Sequence, residues 1–125
     1  MESTEQIARF RSTVVDCPDP RALAGFYARL LGWPITAEED DWVEVADGES
    51  PFRLAFQLVD NYLPPIWPEG YRPQQFHFDF RVDDMDEAEK RVLELGAIKA
   101  EVQPSEDDQF RVFLDPAGHP FCLTV

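Results

Sequence analysis

The sequence predicts an α+β fold in which two βαβββ modules form a curved mixed sheet, with a concave cleft on one side and the helices on the outer face. Each half of the chain reads as a strand, a helix and further short strands, and a proline-rich segment separates the halves. The length of 125 residues suits a single domain, residues 1–125. We expect module one at about 8–59, a connecting loop at 60–75 and module two at 76–125.

Module one opens with a strand and a capped helix. Ser12–Asp16 alternates with β-branched residues, as strands do. Asp19 is placed to cap a helix that begins at Pro20, and Gly32 ends it. An apolar stripe recurs between them at helical spacing, formed by Leu23, Phe26, Tyr27, Leu30 and Leu31. The strands expected after this helix are Trp42–Val45 and Arg53–Val59.

Module two repeats this pattern. Phe76–Val82 alternates apolar and polar residues and reads as a strand. Asp84 caps the next helix, whose apolar stripe ends at Gly96, and a weaker strand pattern covers Ile98–Gln103. The chain then forms a hairpin, with strands Phe110–Leu114 and Pro120–Val125 on either side of a turn.

The composition excludes several classes of partner. A net charge of −14 repels nucleic acid, whereas it attracts a cationic small molecule if acidic groups line the cleft. No apolar run approaches the roughly 18 residues of a membrane span, and the first ten residues lack a signal-peptide core, so we expect a cytoplasmic protein with no membrane partner. Cys17 and Cys122 lie too far apart in sequence to suggest a disulfide framework or a zinc knuckle.

Four segments carry a resemblance to a known superfamily: Phe26–Trp33, Pro65–Pro68, Gln74–Asp79 and Pro116–Cys122. Together with the paired modules they resemble the vicinal oxygen chelate superfamily, which includes glyoxalase I, extradiol dioxygenases, fosfomycin-resistance enzymes and bleomycin-binding proteins. Within it the chain looks most like glyoxalase-like domain proteins common in actinobacteria. The resemblance covers about residues 10–125 and implies a homodimer. It specifies a fold better than a function, because this superfamily supports many chemistries.

The resemblance also implies where a metal would bind. Metalloenzymes of the superfamily carry ligands on the first and last strands of each module, and the matching positions here are Ser12, His77 and Cys122. Only His77 is of the expected type, since Cys122 stands where a glutamate is usual. We therefore expect no metal and no cofactor. An improvised zinc site of His77, Asp79 and Cys122 stays open as an alternative, because zinc accepts these donors.

The predicted ligand-contacting set combines polar groups on cleft strands with aromatic walls. His77 and Asp79 share the polar face of one strand, and Arg53 is expected to project into the cleft. Cys122 is interpreted as a small hydrophobic residue rather than a nucleophile. The full set is Ser12, Trp42, Arg53, Phe56, Trp67, His77, Asp79 and Cys122.

These observations favour a metal-independent protein that binds a hydrophobic or aromatic metabolite or antibiotic, like the bleomycin-resistance proteins of the superfamily that the chain resembles. Two enzymatic alternatives stay open: a divalent-metal lyase or isomerase of the glyoxalase type, and a cofactor-free acid–base enzyme that uses His77 and Asp79. A regulatory or scaffolding dimer with an empty cleft is a third. The sequence does not identify the ligand.

Overall fold

The structure is a computed structural model that describes residues 9–49, 52–68, 70–72 and 77–125. Within this part of the chain it contains eight strands and two helices. They are β1 (Thr13–Cys17), α1 (Pro20–Leu31), β2 (Ile35–Glu38), β3 (Trp42–Ala46), β4 (Arg53–Leu58), β5 (Phe78–Arg81), α2 (Met85–Glu94), β6 (Ile98–Lys99), β7 (Phe110–Leu114) and β8 (Pro120–Thr124). Neither helix is long and apolar enough to cross a bilayer in these described ranges.

The strands form two four-stranded mixed sheets with the same order. One sheet runs β1-β4-β3-β2 and the other β5-β8-β7-β6. In each sheet the first strand of the module pairs in parallel with the last, and the remaining pairs are antiparallel. This shared topology confirms the predicted α+β class and the βαβββ repeat.

Both predicted N-terminal helix caps, Asp19 and Asp84, are confirmed. The Asp19 carboxylate accepts a hydrogen bond from the Ala22 amide at 3.2 Å, and the Asp84 carboxylate accepts one from the Glu87 amide at 3.1 Å. Gly32 closes α1 with a φ of 70°, in the left-handed region that favours glycine.

Two strands differ from the prediction, and the predicted start of a third falls outside the described residues. β2 was not predicted, because its alternation, Ile-Thr-Ala-Glu, covers only four residues and all four are exposed. The predicted strand Ile98–Gln103 shortens to β6, since the Gln103 side chain itself bonds the backbone of Ala100 and Val112. The predicted start of β5 at Phe76 lies outside the described residues.

One hydrophobic core joins the helix-facing sides of both sheets. Tyr27 of α1 is fully buried and stacks on Phe56 of module one, with ring centroids 5.5 Å apart and an interplanar angle of 12°. The same ring meets Phe78 and Phe121 of module two at 5.8 and 6.4 Å. Because the core occupies the helix-facing side of each sheet, the opposite faces stay open.

A buried carboxylate ties the β7–β8 hairpin to this core. Asp115 accepts a hydrogen bond from the Tyr27 hydroxyl at 2.6 Å and from the amides of Ala117 and His119 at 2.8 and 3.0 Å. The Tyr62 hydroxyl, from the connecting segment, bonds the Ala117 carbonyl and lies 3.0 Å from His119 Nε2. The turn between β7 and β8 is therefore anchored to both α1 and the connecting segment.

Candidate functional site

The open face of module two brings three chemically versatile side chains together. β5 pairs in parallel with β8 so that Asp79 lies opposite Cys122, and His77 lies two residues before Asp79. His77 Nε2 is 3.1 Å from Asp79 Oδ1. One potential ligand atom from each of these three residues lies within 4.8 Å of the others. With Phe110 and Thr124 they line a cavity of about 150 Å³, the module-two pocket.

Cys122 is a neutral thiol at physiological pH. Burial, reinforced by the adjacent Asp79 carboxylate, raises the pKa of the thiol to about 11. The side chain packs with Ala100 and Val112, and Trp67 and Phe110 cover this small cluster. Its surroundings therefore suit a small apolar residue better than a nucleophile.

A second cavity lies where the two modules meet, and we call it the junction cavity. It has a volume of about 370 Å³ and contains two charged groups, Arg53 of β4 and Asp79 of β5. Aromatic side chains supply much of its wall: Phe10, Trp33, Phe52, Phe78 and Phe80. Because Asp79 also lines the module-two pocket, the two cavities are neighbours.

Arg53 presents an unused hydrogen-bond donor at this junction. Its Nη1 lies 3.5 Å from the Glu44 carboxylate, which also accepts a hydrogen bond from Trp42 Nε1 at 2.8 Å. Arg53 Nε is buried. Among the buried side-chain nitrogen and oxygen atoms of the described residues, it is the one that has no hydrogen-bond partner. A buried donor without an acceptor costs about 1–3 kcal/mol. Because Nε itself is buried, a bound molecule would contact the exposed part of the Arg53 side chain, which is 35% exposed.

The predicted site residues divide into those the structure brings together and those it separates. His77, Asp79 and Cys122 converge, Trp67 packs beside Cys122, and Arg53 shares the junction cavity with Asp79. Two others lie apart. Trp42 is half-buried and bonds Glu44, and Ser12 is half-buried just before β1; neither lines the module-two pocket or the junction cavity.

Phe56 does not face the cleft. It is fully buried, pairs with Val43 and stacks on Tyr27, so it belongs to the core. Arg53 and Phe56 are three positions apart in one strand, and an odd separation puts two side chains on opposite faces. Since Arg53 takes the open face, the strand geometry excludes Phe56 from it.

Several lining residues escaped sequence reasoning. Phe10 and Trp33 flank β1 and α1 in sequence and carry no pattern that points to a cavity. Thr124 could have been found, because it follows Cys122 by two residues and therefore shares its face. Phe110, directly opposite Thr124 on β7, follows from the hairpin register.

The residues present do not match the metal-ligand set that the resemblance implies. Metals that prefer oxygen bind imidazole and carboxylate ligands. Here the position usual for glutamate holds the neutral thiol of Cys122, and the ligand position on the first strand of module one holds Ser12. The imidazole, carboxylate and thiol that do converge are donors that zinc accepts.

Comparison with known proteins identifies the family. The pattern of the Glyoxalase-like domain family matches residues 12–124, whereas no curated protein matches the chain. Solved structures agree in fold. A possible glyoxalase from Bacillus cereus is 15% identical, with a TM-score of 0.68 over 94% of this chain and 98% of its own.

Two further structures extend this likeness. A glyoxalase/bleomycin resistance protein/dioxygenase family enzyme from Burkholderia phytofirmans PsJN is 17% identical, with a TM-score of 0.66 over 90% of this chain and 94% of its own. TnmS3, an antibiotic binding protein from Streptomyces sp. CB03234, is 22% identical, with a TM-score of 0.62 over 97% and 98%. At these identities the likeness shows the fold alone. With nearly the whole length matched by the family pattern, the chain belongs to the Glyoxalase-like domain family, within the vicinal oxygen chelate superfamily.

Proposed function

We propose that this protein binds an apolar or aromatic small molecule, a metabolite or an antibiotic, in the junction cavity without the help of a metal. The observation that carries the proposal is the junction cavity itself, which has largely aromatic walls and two groups of opposite charge, Arg53 and Asp79. Apolar pockets with a few directed polar groups are typical of small-molecule sites, and 370 Å³ lies within their usual range.

The chemistry of the cavity indicates what a ligand should carry. Flat apolar rings suit walls made by Phe52 and Phe78, and an oxygen acceptor suits Arg53. A cationic group suits Asp79, and the net charge of −14 would steer such a molecule toward the protein. The antibiotic-binding TnmS3 shares the fold, which supports but does not establish this class of ligand.

An equilibrium titration tests the proposal. Tryptophan emission should change on adding polycyclic or glycopeptide antibiotics, because Trp33 lines the cavity. Arg53→Ala should weaken binding about tenfold or more, because a hydrogen bond from a charged group contributes about 1.5–3 kcal/mol. Arg21→Ala, which removes an exposed arginine outside the cavity, is the matched control. Absence of any binding below millimolar concentrations, or equal losses in both variants, would contradict the proposal.

The convergence of His77, Asp79 and Cys122 supports a second candidate, an enzyme. The 3.1 Å contact between His77 and Asp79 would orient the imidazole for cofactor-free acid–base catalysis, and the three donors together would suit a zinc-dependent lyase or isomerase. Elemental analysis of protein purified without chelator separates these functions. Stoichiometric metal that is lost in His77→Ala would favour the metalloenzyme over the metal-independent binder.

We also propose that the protein is a homodimer. Val14 lies on the open face of module one and is 37% exposed, so it offers apolar area to a second copy. Light scattering coupled to size-exclusion chromatography should give twice the chain mass of 14.4 kDa. Val14→Glu should then restore the mass of one chain; a monomeric wild type would refute the proposal.

A further inference from the structure

A groove between the two helices is flanked by two arginines on an otherwise acidic protein. It lies between the last turns of α1 and α2, against β5, and has a volume of about 320 Å³. Its charged rim consists of Arg29 and Arg91, and its apolar wall includes Leu31, Phe80 and Leu95. We call it the arginine groove.

These arginines differ from the basic residues that form ion pairs elsewhere in the chain. Arg21, Arg53, Lys99 and Arg111 each lie within 4 Å of a carboxylate, as expected when 25 acidic residues accompany 11 basic ones. No ion pair or hydrogen bond of the Arg29 or Arg91 side chain occurs within the described part of the chain. Two cations that face one groove repel each other unless an anion joins them.

Helix ends explain only part of this arrangement. Arg29 and Arg91 lie in the last turns of α1 and α2, where a cation interacts favourably with the helix dipole. Arg81 also lines the groove, but it pairs with Thr124 and its side chain leaves β5 on the face opposite Phe80, so it does not belong to the charged rim. The groove also has an apolar wall, which a purely solvated charge cluster does not need.

We propose that the arginine groove binds an anionic amphiphile, a molecule with an apolar chain or ring system and one carboxylate or phosphate head. The guanidinium group forms paired hydrogen bonds with either head group, and Leu31, Phe80 and Leu95 would bury the apolar part. The volume lies at the lower end of the range for small-molecule sites, which favours a compact ligand. The arginine groove is distinct from the junction cavity that contains Arg53 and Asp79, although Leu31 and Phe80 line both.

Isothermal titration calorimetry with decanoate and decyl phosphate tests the proposal, with neutral decanol as the uncharged comparison. Both anions should bind below about 1 mM and decanol at least tenfold more weakly. The net charge of −14 opposes anion binding overall, so such a preference requires a local site. A tighter dissociation constant for one anion identifies the preferred head group.

A pair of charge-matched double variants locates the binding. Arg29→Gln with Arg91→Gln should weaken decanoate binding at least tenfold, whereas Arg21→Gln with Lys90→Gln removes the same charge from the same two helices outside the groove and should leave it within twofold. All four side chains are exposed, so the fold should persist in both. Equal losses in the two variants, equal binding of decanol, or no anion binding below 1 mM would each overturn the proposal.

Discussion

Replacing Asp115 with alanine should destabilise the fold more than any substitution on the open faces of the sheets. The carboxylate has no exposed side-chain area and accepts hydrogen bonds from the Tyr27 hydroxyl and from the amides of Ala117 and His119. Each hydrogen bond to a charged group contributes about 1.5–3 kcal/mol. The amides lie in a turn and can bond water, but the Tyr27 hydroxyl is fully buried. We therefore expect a loss of about 3–5 kcal/mol, from the lost hydrogen bond to a charged group together with the cost of leaving the Tyr27 hydroxyl buried without a partner.

Urea unfolding followed by circular dichroism measures this loss, with the slope of the transition checked for constancy. Tyr27→Phe is the matched variant, because it removes one donor and leaves the carboxylate its other partners; it should cost about 1–2 kcal/mol. The double variant removes both the hydroxyl and the carboxylate, so neither is left buried alone. Its loss should fall short of the sum of the single losses by at least about 1 kcal/mol.

Two results would refute this reasoning. If Asp115→Ala lowered the free energy of unfolding by less than about 1 kcal/mol, the carboxylate would not be the anchor that its contacts suggest. If the two substitutions were additive, the Tyr27 hydroxyl and Asp115 would not interact energetically, despite the 2.6 Å between their oxygens.

Three further predictions concern stability. Stability should fall as pH rises from 9 to 11, by about 2 kcal/mol from Cys17 alone, because burial raises the pKa of this thiol from 9.0 to about 11 and the unfolded chain then loses the proton first. Since burial also raises the pKa of the Cys122 thiol to about 11, Cys17→Ala should reduce the fall of the urea midpoint over this range without abolishing it. Phe56→Ala should cost about 3–5 kcal/mol, whereas Phe52→Ala, at a side chain 60% exposed, should leave the urea midpoint almost unchanged but weaken ligand binding. Arg111→Ala should lower the thermal midpoint by several degrees, since Arg111 pairs with Asp86 and Glu89 of α2 and with Asp108 just before β7. Adding 1 M salt to the wild type should lower its thermal midpoint by part of this amount.

The sequence predicts most of the fold because its signals are local. Asp19, Pro20 and Gly32 mark the limits of α1 through their own backbone preferences, and the structure places them where those preferences operate. The edge strand Ile35–Glu38 was not predicted because it is only four residues long and exposed on both faces, so its short alternation does not distinguish it from a loop. Its position depends on pairing with β3, which sequence pattern alone does not encode.

The candidate site was predictable where one strand carries it. His77 and Asp79 follow from alternation along β5, and Cys122 joins them because β8 pairs with β5 in a definite register. The junction cavity was not predictable in this way, since Arg53 and Asp79 come from different sheets. Their proximity depends on how the two modules pack, which no short sequence motif specifies.

The central strands also explain why the fold is easier to predict than the ligand. In β8, Phe121 and Leu123 fill the core while Cys122 faces the module-two pocket. In β5, Phe78 and Phe80 pack against the core and Asp79 faces the open side. Substitutions on the open face can therefore change a donor, a charge or a wall of the cavity at little cost to the core. A scaffold divided in this way can support metal chemistry in one relative and metal-free binding in another, so membership of the family does not identify the ligand.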